Sequence, residues 1–421
     1  METKLNKKQL NAINANDPQI VIIAPAGSGK TTTLVAAIKK YKEENPMNTV
    51  VAITFTRKAA DDLKNKIGAY GGVSTSTIHS WAYQELDKLA NLVAKEDPNN
   101  AFKVKLLQDE KIKEILEKIC RDRGYRYIKI WQVFLYVMGN YNIDVPDSLK
   151  RVFESIKKEY VEYKIRMGLY DFTDLPQYLL DKLLDYGKEI EGIDALFVDE
   201  FQDVDDIQLE LFNRVPAEKK FYIGDPKQSI YIFRGATEDV LKRLEDFAIY
   251  NLDINYRSNQ EIIDFATTYQ NAAQNDAITF STQLESYRSS ILCENGYGGH
   301  VYILGRTGLA YQVNEPERLK GEDIVKTFMA RQPMILCRKN KEVKEIQDLG
   351  YSRVQTVHQA KGLEYDTVIV TDFDIQSLED INISYVAMTR AETHLLAANY
   401  EAFIKILSKL KKDGTLMQNL F

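Results

Sequence analysis

IVIIAPAGSGKTTTLVAAIKKY, from Ile20 to Tyr41, passes from an apolar run through a glycine-rich turn into helical periodicity. The turn, Ala24, Pro25, Ala26, Gly27, Ser28, Gly29, Lys30 and Thr31, has the composition of a phosphate loop. Glycines let backbone N–H groups converge on an anion, and the following helix adds the positive end of its dipole. Lys30 is placed to reach β- and γ-phosphates, and the Thr31 hydroxyl to hold Mg2+. The pattern usually opens with glycine. Ala24 stands there instead, which is tolerable unless that position needs a positive φ.

A second half-site is ALFVDE, Ala195–Glu200. Four apolar residues predict a buried strand that ends in two carboxylates. At the carboxyl end of a parallel strand, Asp199 can reach a Mg2+ held by Thr31, and Glu200 can orient or deprotonate an attacking water. The two motifs together predict nucleotide hydrolysis.

The 421 residues suffice for two or three domains with full cores. Cys120, Cys293 and Cys337 lie far apart without a CxxC pair, so they read as reduced core residues. No stretch approaches the roughly 20 apolar residues of a membrane span, and the amino terminus lacks a signal-peptide core. A cytoplasmic protein without membrane attachment is expected. The net charge of −6 excludes nucleic-acid binding by bulk charge, so any such site must be a local groove. Lys39, Lys40 and Lys42 read as a solvated helix face.

Strands are expected at Ile20–Ile23, Thr49–Thr54, Ala195–Val198 and Lys220–Ile223, with helices between them, a parallel doubly wound pattern. From Trp81 to Tyr170 the apolar spacing is helical. After Asn251 the alternation resumes, with strands expected at Met334–Cys337, Val354–Val357, Thr367–Val370 and His394–Ala398.

Further motifs follow in a fixed order: LNKKQLNAI (Leu5–Ile13), AITFTRKAADDLKNKI (Ala52–Ile67), STIHSWA (Ser76–Ala82), DFTDL (Asp171–Leu175) and FVDEFQDVDDIQ (Phe197–Gln208). Then come GDPKQSIYIFRGA (Gly224–Ala236), NYRSNQEI (Asn255–Ile262), TVHQAKGLEYDTV (Thr356–Val368) and YVAMTRAETHL (Tyr385–Leu395). In this set and order the chain resembles the UvrD-like superfamily 1 helicases, over nearly its whole length except the helical stretch and 265–333.

The resemblance implies an α/β fold of two RecA-like P-loop NTPase lobes with parallel sheets and a helical insertion in the first. The first lobe would be 1–86 with 170–249, the insertion 87–169 and the second lobe 250–421, with 266–333 unassigned. ATP and Mg2+ are implied. Gln9 would read adenine, Tyr256 would stack on it, and Thr32 and Glu364 would join the nucleotide contacts. Thr32 replaces an arginine common in relatives and cannot make its cation–π contact. Gln228 would sense the γ-phosphate, and Arg257 and Arg390 would be arginine fingers. Single-stranded DNA would lie across the tops of both lobes, with Phe55, Tyr231 and Phe233 stacking on bases. Thr54, Thr56, His79, Arg234, Thr356 and His358 would hold phosphates or bases.

The family's activity is ATP-dependent 3′→5′ translocation with strand separation on tailed duplex DNA. The alternative is an ATP-gated nucleic-acid sensor serving a protein partner, a nuclease or a replication or repair factor. Between Arg338 and Val354 there is no room for the accessory subdomain of larger relatives. No strand-separating hairpin is evident after Arg390, and no nuclease domain is expected after Phe421.

Overall fold

A computed structural model describes residues 5–139, 145, 147–230, 243–274, 291–313, 315, 318–371 and 378–413. The chain divides into two compact units. One comprises 1–43, 198–205 and 220–421, and the other 44–197 and 206–219.

In the first unit, the β-branched run Gln19–Ile23 is a central strand because its middle residues are buried on both faces. It pairs in parallel with Lys219–Gly224 on one side and Ala248–Asn251 on the other. The register Ile23↔Gly224 brings the carboxyl ends of both strands level. The chain then turns through the glycines into the helix Lys30–Glu44. Lys39 and Lys40 are half-buried and Lys42 is buried, which corrects the expectation of a solvated face. The long stem of Lys40 carries its ammonium group to the Ile13 carbonyl, 3.5 Å away.

The same unit holds a seven-stranded sheet. Met334–Cys337, Val354–Thr356, Tyr365–Thr371, Ala391–Ala398 and His300–Leu304 run parallel to their neighbours. Leu309–Gln312 and Arg318–Lys320 extend the sheet antiparallel. The four strands expected after Asn251 are all present, but Val357 opens a short helix, Val357–Ala360, rather than ending its strand. The Thr356 side chain accepts from the Gln359 N–H, a cap that stops the strand there.

In the second unit, Val50–Thr54 pairs in parallel with Val73–Thr77, a strand too rich in Ser and Thr to read as one from its pattern. Ala195–Asp199, whose last two residues belong to the first unit, is a fully buried strand, as expected. The helices Asp109–Asp122, Ile130–Val137 and Asp147–Met167 close around Ile112, Leu116, Val133, Phe153 and Ile156. DFTDL fastens the end of the last of these helices. Lys164 donates to Asp171 at 2.7 Å and to Asp174 at 2.6 Å, and the Tyr160 hydroxyl donates to Asp171 at 2.8 Å. Among the described residues, no helix is long and apolar enough to cross a membrane.

Candidate nucleotide site

The phosphate loop is bounded by two left-handed glycines, Gly27 at φ 70° and Gly29 at φ 79°. Ala24 keeps a negative φ, so the missing glycine costs no strain there. The loop is covered from NYRS. Asn255 Nδ2 donates to the Ala26 carbonyl at 2.6 Å, and the Tyr256 N–H donates to the Gly27 carbonyl at 2.8 Å. A Cβ on Gly27 would lie 2.6 Å from Asn255 Nδ2 and 2.9 Å from Arg257 Cβ, so only glycine permits this approach. Asn255 Oδ1 in turn accepts the N–H groups of Arg257 and Ser258, both at 2.8 Å, which fixes the start of the arginine.

Gln9 and Tyr256 are joined through Asn6. The Asn6 amide donates to the Tyr256 hydroxyl at 2.7 Å, while the Gln9 carboxamide oxygen accepts the Asn6 N–H at 2.8 Å. Gln9 Nε2 also donates to Thr33 Oγ1 at 3.1 Å, beside Gly29. The two residues expected to hold adenine thus share one small cluster. Thr32 is half-buried in the first turn of the following helix.

Glu200 follows the Asp199 strand with φ 53°, a left-handed conformation uncommon outside glycine. Such strain clusters at functional sites. Its carboxylate accepts from Gln202 Nε2 at 2.6 Å. Gln202 Oε1 accepts the Asp225 N–H at 2.8 Å, and the Asp225 carboxylate accepts from Gln228 Nε2 at 2.7 Å. Gln228 Oε1 then accepts from Arg390 Nη2 at 3.4 Å. One continuous hydrogen-bonded path, passing through the main-chain N–H and the carboxylate of Asp225, therefore links Glu200 to Arg390. Gly224 makes room for it, since a Cβ there would lie 2.3 Å from Gln202 Oε1.

Arg390 is almost fully buried and is aimed by bonds to the Val386 and Leu363 carbonyls at 3.0 and 3.1 Å. Arg257 is held by Glu364 at 2.7 Å and the Thr389 carbonyl at 3.3 Å. Burial and then the Arg257 charge push Arg390 below the usual guanidinium range, while Glu200 and Glu364 oppose them. Two like charges near enough to disfavour one another favour an anion nearby. Burial alone would raise the Glu200 carboxyl, but Lys30, Lys361, the Gln202 bond and Arg390 outweigh it and hold the group well below the carboxylate range. Lys30 itself rests on the Ala24 carbonyl at 3.3 Å. Lys361 donates to Asp203 and to the Gln228 carbonyl. Ser28 Oγ is buried without a partner, an unspent polar atom in the loop that suits a phosphate oxygen. The Thr31 hydroxyl and Asp199 carboxylate are hard oxygen donors of the kind Mg2+ takes.

The residues expected at DNA are distributed differently. Thr54, Phe55, Thr56 and His79 lie in the second unit, and Thr356 and His358 in the first. Thr56 is exposed and caps the helix Arg57–Ile67, accepting from the Ala59 N–H at 3.2 Å. Thr54 Oγ1 is buried without a partner. His79 stacks on the exposed Phe172 ring, centroids 5.2 Å apart. Tyr231, Phe233 and Arg234 lie outside the described residues. Motif reading had missed Gln202, Asp203, Asp225, Asn255 and Lys361. All stand inside the quoted motifs, and their buried polar character is the signal that could have marked them.

Residues 5–248 match the model of the UvrD/REP helicase N-terminal domain, and residues 351–397 that of the UvrD-like helicase C-terminal domain. The chain is 29% identical over 295 residues to a probable DNA helicase II homolog of Mycoplasma capricolum, covering 63% of this chain and 40% of that protein. It is 28% identical over 295 residues to DNA helicase II of Escherichia coli, covering 62% and 39%. A probable DNA helicase of Mycoplasma pneumoniae aligns over 95% of this chain and 84% of its own length, at 25% identity. The matches to the first two span about two-fifths of those relatives' lengths.

Proposed function

This chain belongs to the UvrD/Rep helicase family, and from that premise we propose that it is an ATP-dependent DNA helicase that moves 3′→5′ on single-stranded DNA. The observation that carries the reading is the enclosure of the phosphate loop by Asn255, Tyr256 and Arg257, with the Glu200–Gln202–Asp225–Gln228 chain ending on Arg390. Lys30, Arg257 and Arg390 bind the β- and γ-phosphates of the substrate ATP, and Gln228 reports the γ-phosphate. Thr31 and Asp199 would hold Mg2+, which would supply charge neutralisation at the phosphates. Glu200, kept ionised, orients the attacking water and takes its proton. Once the phosphates engage Lys30, one of the charges depressing Glu200 is drawn away and its basicity rises.

The proposed organisation is two RecA-like lobes, 1–86 with 170–249 and 250–421, with 87–169 as an insertion. Gln9, Thr32, Tyr256 and Glu364 complete the nucleotide contacts. Thr54, Phe55, Thr56, His79, Tyr231, Phe233, Arg234, Thr356 and His358 are proposed to grip single strand. Closure of the second lobe on ATP and its release after hydrolysis would drive stepping. The test is strand displacement on duplexes carrying a 3′ or a 5′ single-stranded tail. Displacement from the 3′-tailed substrate is expected, and preference for the 5′ tail would reject the direction. ATP hydrolysis stimulated by single strand without any displacement would favour the sensor alternative.

A further inference from the structure

The extended segment 253–257, which carries Arg257 to the phosphate loop, is backed by residues 291–299, part of the stretch that the motifs left unassigned. Alternate residues of an extended strand turn their peptide groups to opposite edges. The Tyr256 N–H turns to the loop and meets the Gly27 carbonyl. The carbonyls of residues 253, 255 and 257 turn the other way and are taken in order. The Leu292 N–H donates to Asp253 at 2.8 Å, the Glu294 N–H to Asn255 at 2.9 Å, and Asn295 Nδ2 to Arg257 at 3.1 Å. Ile254–Asn255 and Leu292–Cys293 thereby form a short parallel pair. Two adjacent side chains opening the helix Gln260–Gln274 hold this brace in place. The buried Gln260 accepts the Cys293 N–H at 2.8 Å and donates to the Ile291 carbonyl at 2.9 Å, while its own N–H donates to the Gly296 carbonyl at 2.9 Å. The Glu261 carboxylate accepts the N–H groups of Gly298 and Gly299 at 2.9 and 3.1 Å. A Cβ on Gly299 would lie 2.9 Å from Asn259 Cβ and 3.2 Å from the Thr393 carbonyl, so glycine lets the brace lie this close.

The brace runs directly into His300–Leu304, which pairs in parallel with Ala391–Ala398, the strand that follows Arg390. Ser258 Oγ and the Asn259 N–H also bind that strand, at the Ala391 and Glu392 carbonyls, 2.6 and 2.9 Å away. The backbones that carry the two arginines are therefore set in one frame. Resting on the helicase reading above, we infer that Gln260, Glu261 and Asn295 are positioning residues for hydrolysis, which hold 291–299 behind Arg257 and so fix its guanidinium relative to Arg390. Charge developing on a transferred phosphoryl group demands closer placement than binding does, and a displacement of about 1 Å can cost ~10²-fold in rate. Loosening the brace therefore slows turnover and leaves nucleotide binding nearly intact.

The test measures single-turnover ATP hydrolysis and affinity for a non-hydrolysable ATP analogue, both with saturating oligo-dT. Gln260→Met, Glu261→Ala and Asn295→Ala are each made in the wild-type chain and in Arg257→Ala. In the wild-type chain, Gln260→Met and Glu261→Ala should slow hydrolysis at least tenfold and Asn295→Ala at least threefold, with analogue affinity kept within threefold. In Arg257→Ala the same substitutions should cost less than a further twofold, because the group they position is gone. Losses that multiply in full in Arg257→Ala would overturn the inference, since they would report a general weakening of the fold. Hydrolysis within twofold of wild type in Gln260→Met would overturn it as well. If Gln260→Met does not fold, Asn295→Ala, at an exposed side chain, carries the comparison, and an unchanged rate there overturns the inference. Arg257→Ala hydrolysing as fast as wild type would instead sink the role given to Arg257 in the helicase reading itself.

Discussion

At the residue scale, the site is a set of charges whose ionisation is set by burial and by neighbours. Glu200 is ionised because four groups outweigh its desolvation, with Lys30 the first of them. Replacing it with Gln retains the bond to Gln202 in altered polarity but removes the base. Hydrolysis should drop by ~10²–10⁴-fold with the ATP analogue still bound, as read by phosphate release and by analogue binding. Asp203 is the opposite case. Burial raises its carboxyl to about 6, against the pull of Lys361. Its folded value exceeds its ordinary 3.8, so its contribution to stability is present at low pH and lost as pH rises through about 6. The carboxylate that grips Lys361 therefore exists only above that point, at some expense to the fold. Stimulated hydrolysis should rise between pH 5 and 7 with a midpoint near 6, and Asp203→Asn should flatten that limb while lowering the plateau. A limb unchanged in the variant would assign it to another group.

At the scale of elements, much was legible because local pattern and tertiary role agree. Buried β-branched runs gave the strands Gln19–Ile23, Ala195–Asp199, Met334–Cys337 and Tyr365–Thr371 their places. Val73–Thr77 escaped notice because it is Ser/Thr-rich, and Leu309–Gln312 and Arg318–Lys320 because short antiparallel segments at a sheet's edge lack an apolar run, whereas His300–Leu304 has such a run but fell in the stretch left unassigned. In the site, the phosphate loop and the acidic pair were legible as motifs. The amides of Gln202 and Gln228 were not, since packing decides their partners, 23 residues away at Asp225 and 162 away at Arg390. Lys164 shows the same limit: nothing in its helical context marks it as the ammonium that DFTDL encloses. Its side chain is 5% exposed and Asp171 1%, so removing the ammonium strands a buried carboxylate. Lys164→Met should lower unfolding stability by ~3–5 kcal/mol in urea titrations, with little dependence on salt. A loss below about 1 kcal/mol would show that Tyr160 and Thr173 alone satisfy Asp171. Gly224→Ala should cost about 1–3 kcal/mol by pushing Gln202 off the Asp225 N–H.

For the whole molecule, net charge and the chemistry of the proposed DNA contacts set how binding responds to salt. The chain carries −6, so a nucleic acid gains nothing from the long-range field. Of the residues proposed to touch single strand, Arg234 alone carries a fixed positive charge. The others are threonines, histidines and aromatics, which act by hydrogen bonding and stacking. Each phosphate neutralised on a single strand contributes about −0.7 to the slope of log K against log salt. Stacking contributes ~1–3 kcal/mol per base and releases no counterions. Oligo-dT binding should therefore fall with a slope no steeper than about −2, corresponding to one or two neutralised phosphates with allowance for a protonated histidine. Substituting Phe55 or Phe233 by Ala should weaken binding tenfold or more at every salt concentration, leaving that slope unchanged. A slope steeper than about −4 would mean that a track of lysines carries the strand. The contact set drawn from the motifs would then be the wrong one, even with the nucleotide chemistry intact.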